Sequence, residues 1–302
     1  MKNLIIVSTQ FQLLNSIELI ESHLIEKNFR LIFIYSTKFH EKQILRLAQK
    51  YNIKILFKIK QKTIIQYFYF YFKIIRNLYV NTLIIGNTED NIMKAAIKIL
   101  VFKNLYFVDD GNILECLNNK PNHLNKYLPV TYFTTFSLKS NNYYKLIENN
   151  YTFLKSKNNK VRKDDKVFFI GQPMVESGLL EQEAYIEFIS KLSKYFNDNL
   201  IYILHPRELN SKFSDSKSIK TMRLKQGVET YFMDRDVLPN KILSFYSTAL
   251  ISLSKIIKSK KLEINYIDLR KHFKTSIKDS SIYGIPYKYL KVNHREFSIK
   301  IR

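Results

Sequence analysis

The feature that most restricts this chain is a recurrence: short apolar runs, each followed by a polar or helically periodic stretch. Asn3–Val7, Arg30–Tyr35, Ile53–Phe57, Thr82–Ile85 and Leu105–Val108 read as strands, and Gln12–Lys27, His40–Lys50 and Asn91–Val101 as helices between them. In Gln12–Lys27, Leu13, Leu14, Ile17, Ile20 and Leu24 fall close to one helical stripe. Asp90 or Asn91 is placed to cap the helix that opens at Asn91. Alternation of this kind predicts βαβ units and a parallel sheet.

The pattern breaks at Lys155–Lys166, "KSKNNKVRKDDK", which is charged and nearly free of apolar residues and reads as a linker. It then restarts. Val167–Ile170, Leu200–Leu204, Ile242–Tyr246 and Leu262–Ile267 read as strands and Glu181–Phe196 as an amphipathic helix. The expected architecture is α/β: two Rossmann-like domains, 1–155 and 156–302, facing across a cleft. No internal repeat relates them.

Composition narrows the classes of function. Hydrophobic residues make up 46% of the 302, enough for two substantial cores and too many for a largely disordered chain. Cys116 is the only cysteine, which excludes an intrachain disulfide and a cysteine-based zinc site. The formal charge of +23 suits nucleic acid, an anionic membrane or an acidic substrate, and also reflects a Lys-, Asn- and Ile-rich composition. Lys and Arg are spread over both halves without a recognised nucleic-acid module, so no nucleic-acid partner is expected. No signal peptide is visible at the N-terminus, which points to the cytoplasm. The most membrane-like stretch, Thr63–Val80, is interrupted by Lys73, Arg76 and Asn77. It reads either as a half-buried helix on the sheet or as an interfacial helix on a headgroup layer.

In open α/β sheets, ligands bind beyond the carboxyl ends of the strands, so the residues that follow strands are the candidates. These are Ser8 to Gln12, Gly86-Asn87-Thr88, Asp109-Asp110-Gly111, Gly171-Gln172-Pro173, His205-Pro206-Arg207-Glu208 and Ser247-Thr248-Ala249. Paired acids suit proton transfer, helix capping or a divalent metal. Two hydroxyls opening a helix form an N-cap or a phosphate site, because free N–H groups and the helix dipole attract anions.

Taken together, "VDDG", "LHPRE", "YSTA", "FFIGQP" and "GVETYF" resemble the motifs of the bacterial sialyltransferases of glycosyltransferase family 52, the lipooligosaccharide and capsule enzymes. The opening "STQFQLLNSIE" is similar as well, and the likeness runs from Asn3 to about Ala249. His205 follows Leu204, where members of that family often have Pro. The resemblance implies a glycosyltransferase B-type fold and transfer of sialic acid from CMP-sialic acid, with inversion, to a terminal sugar such as galactose.

It also implies roles. Asp109 is the expected base, with Asp110 and Glu176 as alternatives, and His205 assists the leaving phosphate. Gly171, Gln172, Pro173, Pro206, Glu229, Ser247 and Thr248 would bind the donor. Thr9, Gln10 and Gln12 would face a glycan or glycolipid acceptor. No metal or other cofactor is expected. Attachment to the inner face of the cytoplasmic membrane is compatible with the charge, and oligomeric state, a homodimer included, stays open. The rival readings are an enzyme of the same fold using another nucleotide sugar, a basic nucleic-acid-binding protein and a receiver-like regulator.

Overall fold

The computed structural model describes residues 2–22, 28–61, 64–75, 78–87, 90–110, 130–136, 144–157, 163–213, 216, 219–257, 259, 262–272, 290–291 and 294–297. Two compact units form. One comprises Met1–Ser156 with Lys225–Gly227, the other Lys157–Leu224 with Val228–Arg302.

The first unit is built as β1 Lys2–Val7, α1 Gln10–Ser22, β2 Phe29–Tyr35, α2 Lys38–Lys50, β3 Lys54–Lys60, α3 Ile64–Ile75, β4 Tyr79–Ile85, α4 Asn91–Ile99, β5 Val101–Val108, β6 Val130–Thr134, β7 Tyr144–Glu148 and α5 Thr152–Ser156. Its seven strands are all parallel, in the order β3-β2-β1-β4-β5-β6-β7. The order reverses between β1 and β4, the switch point at which open sheets bind ligands. Ile5, Ile6, Val7, Ile32, Phe33, Leu83, Ile84 and Ile85 are buried, which is why these strands appear as unbroken apolar runs.

The second unit repeats the plan with β8 Val167–Ile170, α6 Gln182–Tyr195, β9 Leu200–Ile203, β10 Lys220–Met222, α7 Val228–Asp234, β11 Lys241–Ser244, α8 Ala249–Ile256, β12 Glu263–Tyr266 and β13 Arg295–Glu296. The order is β10-β9-β8-β11-β12-β13, again parallel, with the reversal between β8 and β11. Its core is aromatic: Phe169 stacks on Tyr202 at 5.4 Å and meets Phe245 edge-on at 4.8 Å.

Several expectations need correction. Thr63–Val80 is not one helix, because α3 stops at Ile75 and Tyr79 already belongs to β4. Val101 opens β5 rather than closing α4, since the N–H of Leu100 satisfies Ala96 and the chain turns extended there. Lys155 belongs to α5, so the linker starts later than its charge suggests. Glu229 sits in the first turn of a helix that the sequence reading did not propose. Strands β6, β7, β10 and β13 were likewise not anticipated. Gly111 of the D-D-G motif and the C-terminal end of Gln12–Lys27 lie outside the described residues.

Candidate functional site

In the first unit the strand ends converge around Gln12. This side chain is fully buried, and its Oε1 accepts from Ser8 N–H at 2.7 Å, Ser8 Oγ at 3.2 Å and Thr9 N–H at 3.3 Å. Thr9 Oγ1 in return accepts from Gln12 N–H, so Thr9 caps α1. A side chain at Gly86, at the end of the adjacent β4, would overlap Gln12, so the glycine is what lets the amide sit there. Gln10 is also buried, and its Oε1 accepts from the N–H of Gly227 at 2.5 Å. Thr9, Gln10 and Gln12 therefore hold the loop together, and Thr9 alone of the three is exposed.

The two acids after β5 have different fates. Asp109 is 1% exposed, and its Oδ2 accepts from Thr135 N–H at 2.6 Å and Thr135 Oγ1 at 3.0 Å. Thr135 immediately follows β6, so Asp109 ties two neighbouring strand ends. Its carbonyl accepts from Asn15 Nδ2 at 3.1 Å. Asp110 is only half-buried. Burial pushes its carboxyl up to about 7; Gln12 opposes the rise and the charge of Asp109 adds to it. Asp109, the expected base, is thus the acid turned inward and hydrogen-bonded, and Asp110, its named alternative, is the more exposed of the pair. Successive side chains leave a strand end on opposite sides, and here the first acid points into the protein.

In the second unit, β9, β8 and β11 are neighbours, and His205, Gly171-Gln172-Pro173 and Ser247-Thr248 follow them at the same edge. His205 is held from several sides. Its N–H donates to Glu208 Oε2 at 2.7 Å, its carbonyl accepts from Arg223 at 3.2 Å, and its Nδ1 accepts from Arg207 N–H at 3.1 Å. An accepting Nδ1 places the ring proton on Nε2. Burial lowers its pKa to about 4, with the charges of Arg207, Arg223 and Lys212 acting the same way and Glu176 against them. At neutral pH this is a neutral imidazole, aimed as an Nε2–H donor in cationic surroundings.

Beneath it lies a network that sequence reasoning did not single out. Glu208 Oε1 accepts from Tyr202 Oη at 2.6 Å and Lys212 Nζ at 2.8 Å. Tyr202 directs its hydroxyl hydrogen at Glu208, which leaves Tyr185 as the donor across their 2.6 Å contact. Burial pushes both phenols well up, so both stay protonated. Burial also raises Glu208, against the pull of Lys212, Tyr202 and the His205 N–H. Lys212, 2% exposed, bridges Glu208 to Glu176 at 2.9 Å. Glu176 Oε1 accepts from Leu209 N–H, so both its oxygens are engaged. Burial alone would raise Glu176, but these donors hold it below the usual range. Glu176 thereby ties Lys212 to the Leu209 N–H. The available signal was "HPRE" followed by Lys212: a carboxylate and an ammonium four residues apart at a strand end.

The remaining candidates are distributed as follows. A side chain at Gly171 would overlap the Tyr202 hydroxyl and the Glu208 carboxylate, so this glycine keeps room for the network and is buried itself. Gln172 Oε1 accepts from Tyr246 N–H at 3.0 Å, pinning the ends of β8 and β11 together. Pro173 is buried and its carbonyl accepts from Ser177; Pro206 is exposed in the turn after His205. Glu229 is 7% exposed and accepts from Ser252 Oγ at 2.8 Å, linking α7 to α8, and burial raises its pKa. Ser247 Oγ accepts from Ala249 N–H at 3.3 Å, while the Thr248 hydroxyl makes no cap bond at the start of α8. Among the described residues, no three His, Cys, Asp or Glu side chains gather as a metal-holding group.

Compared with solved structures, the chain is similar to MnaA of S. aureus in complex with UDP, at 11% identity and a TM-score of 0.54, over 96% of this chain and 88% of that one. A glycosyltransferase from Rickettsia africae (10% identity, TM-score 0.46, 88% and 79% covered) and a UDP-GlcNAc 2-epimerase from Neisseria meningitidis bound to UDP-GlcNAc (10%, 0.48, 97% and 91%) score lower. No family model and no curated protein matches the sequence. The likeness at this identity concerns the fold, which is α/β with two Rossmann-type parallel sheets, the glycosyltransferase B-type arrangement.

Proposed function

We propose that the chain is a nucleotide-sugar-dependent glycosyltransferase, and specifically an inverting sialyltransferase that uses CMP-sialic acid. The observation that carries the transferase reading is the edge of the second sheet. A neutral His205 with its donor nitrogen preset, three cations around it, and the hydroxyls of Ser247 and Thr248 two strands away form a set suited to a phosphate leaving group. The resemblance of the motifs to those of family 52 supports the choice of donor.

Inversion is a single displacement. In this reading Asp110 takes the proton of the acceptor hydroxyl as the new glycosidic bond forms. The bond from the anomeric carbon to the phosphate breaks, and its electrons go to CMP. His205 Nε2–H, Arg207 and the α8 hydroxyls stabilise the charge that develops there. A nucleoside monophosphate leaves with less charge than a diphosphate, so protein donors serve without a metal. The acceptor is a terminal sugar of a lipooligosaccharide or capsular glycan.

The rival donor is a UDP-sugar, favoured by the UDP held in the MnaA complex. Calorimetric titration with CMP, UDP and GDP separates the two readings. Selective CMP binding, weakened at least about tenfold in Ser247→Ala/Thr248→Val, agrees with the sialyl donor, whereas selective UDP binding defeats it. Turnover of CMP-sialic acid that is unchanged in excess EDTA agrees with metal independence; loss rescued by Mg²⁺ overturns it.

A further inference from the structure

Helix α3 is apolar on two faces, and the fold covers one. Phe70 and Ile74, one turn apart, are 0% and 1% exposed, and the helix packs against β3 and α4. Ile65, Phe68, Phe72 and Ile75 follow at spacings of three, four and three residues and so share the opposite face. Their exposures are 79%, 73%, 53% and 60%. Tyr69 and Tyr71 flank the stripe and are also exposed. Past the helix, Tyr79 and Val101 open β4 and β5 as paired neighbours and are likewise exposed. Single exposed apolar residues need no explanation, but a stripe of this length and spacing marks an interaction surface.

Charge identifies the partner. Between Lys42 and Thr88 the sequence holds nine Lys and Arg and no Asp or Glu. No acid occurs in α3, β3, β4, α4 or β5. Lys54 and Lys60 on β3, Lys98 in the last turn of α4 and Lys103 on β5 are exposed. Lys73 Nζ stands 5.2 Å from the centre of the Tyr69 ring. The acid nearest to this segment on α2, Glu41, is buried and already paired with Lys58 and Lys38.

We propose that the outer face of α3 docks on an anionic phospholipid bilayer. The Phe and Ile side chains enter the boundary between headgroups and acyl chains, the tyrosines stay at headgroup level, and the surrounding lysines meet lipid phosphates. At twelve residues the helix is about 18 Å long, so it lies in the interface and does not cross it. A second copy of the chain fits less well, since a two-fold contact would press the same cationic segment against itself. The inference does not depend on which sugar the enzyme transfers.

The chain contains no tryptophan, so Phe68→Trp installs a single emission reporter on the stripe. Vesicles of phosphatidylcholine containing phosphatidylglycerol should shift its emission to the blue, and brominated acyl chains should quench it. Tyr195→Trp, at an exposed position in the other unit, should do neither. In co-sedimentation, Phe68→Gln/Phe72→Gln should partition at least about tenfold more weakly while keeping the wild-type unfolding midpoint. Pure phosphatidylcholine or high salt should weaken binding of the parent chain. The proposal is overturned if the reporter does not respond, or if the double variant binds vesicles like the parent. It is equally overturned if the double variant only converts a dimer to a monomer in light scattering.

Discussion

The two sheets end in carboxylates kept away from water, but they satisfy them differently. After β5, Asp109 is held by neutral groups, the N–H and hydroxyl of Thr135, and no Lys or Arg side chain is among those donors. Its neighbour Asp110 is then left with a carboxyl that titrates near 7. After β9, Glu208 brings its own cation in Lys212, one helical turn on, together with two tyrosines and the His205 N–H. The first edge thus retains an acid able to exchange a proton at physiological pH. The second turns its acid into a scaffold that holds a histidine donor still.

The largest effect should come from removing the cation at the second edge. Lys212→Met leaves Glu208 as a buried charge without its partner, a loss of about 3–5 kcal/mol in unfolding free energy by denaturant titration. Lys212→Met/Glu208→Gln should recover part of that loss, because the uncompensated charge is gone. If the single variant is as stable as the parent, Glu208 is not held as an ion pair and the contrast between the edges collapses.

Next in size is the split between the two aspartates. Asp110→Asn should lower turnover about a hundredfold or more, the usual scale for a general base, with little change in the unfolding midpoint at about pH 4, where the parent carboxyl is itself protonated in the folded state. His205→Ala should lower turnover on a similar scale. Asp109→Asn, which keeps an oxygen for Thr135, should retain most turnover. The reverse pattern would return the base to Asp109. The pH dependence carries a sign. The base acts ionised, so turnover should rise with pH through about 7. The folded-state value also lies above the unfolded one, so the native state binds the proton more tightly. This contribution to stability is full below about pH 4 and is lost as pH rises through about 7. The profile should lose its rising limb in Asp110→Asn.

A smaller effect tests the packing that the second edge requires. Gly171→Ala must push Tyr202 or Glu208 aside, and it should cost about 1–3 kcal/mol. It should also move the His205 Nε2 resonance in NMR, since Glu208 anchors the His205 backbone. Unaltered stability would mean that the network relaxes freely and does not position the histidine.

The central strands of both sheets were legible because burial makes them continuous apolar runs, as in "LIIV" and "VFFI". The edges were not. β7 is half-exposed and β10 has three residues, so neither accumulates a pattern. The helix that carries "GVETYF" was not legible because seven residues show little periodicity. Among the site candidates, strand-end position could be read from sequence, which is how His205, Gly171 and the acid pair were found. Direction could not: Asp109 and Asp110 are chemically identical, and only the position of Thr135 after an unforeseen β6 decides which is turned inward. Tyr202 lies inside a segment legible only as a strand, and its hydroxyl's task depends on a Glu208 contact that no spacing rule announces.

The smallest predicted effect sharpens the comparison at its most sensitive point. The charge of Asp109 contributes to the raised pKa of Asp110, but burial contributes more and Gln12 works the other way. Asp109→Asn removes the like charge while leaving Asp110 where it is. The ionised form of Asp110 is then easier to make, and its midpoint should move down. The shift should be a minor part of the total elevation, because desolvation persists. The pH–rate profile of Asp109→Asn reports it directly, as does the carboxyl ¹³C titration of Asp110. A midpoint that stays put would mean that Asp109 is neutral already, so the first edge would hold one proton between two acids. A midpoint that rises would place Asp109 as a donor to Asp110 rather than a repelling neighbour, and the division of labour between the two acids would have to be redrawn.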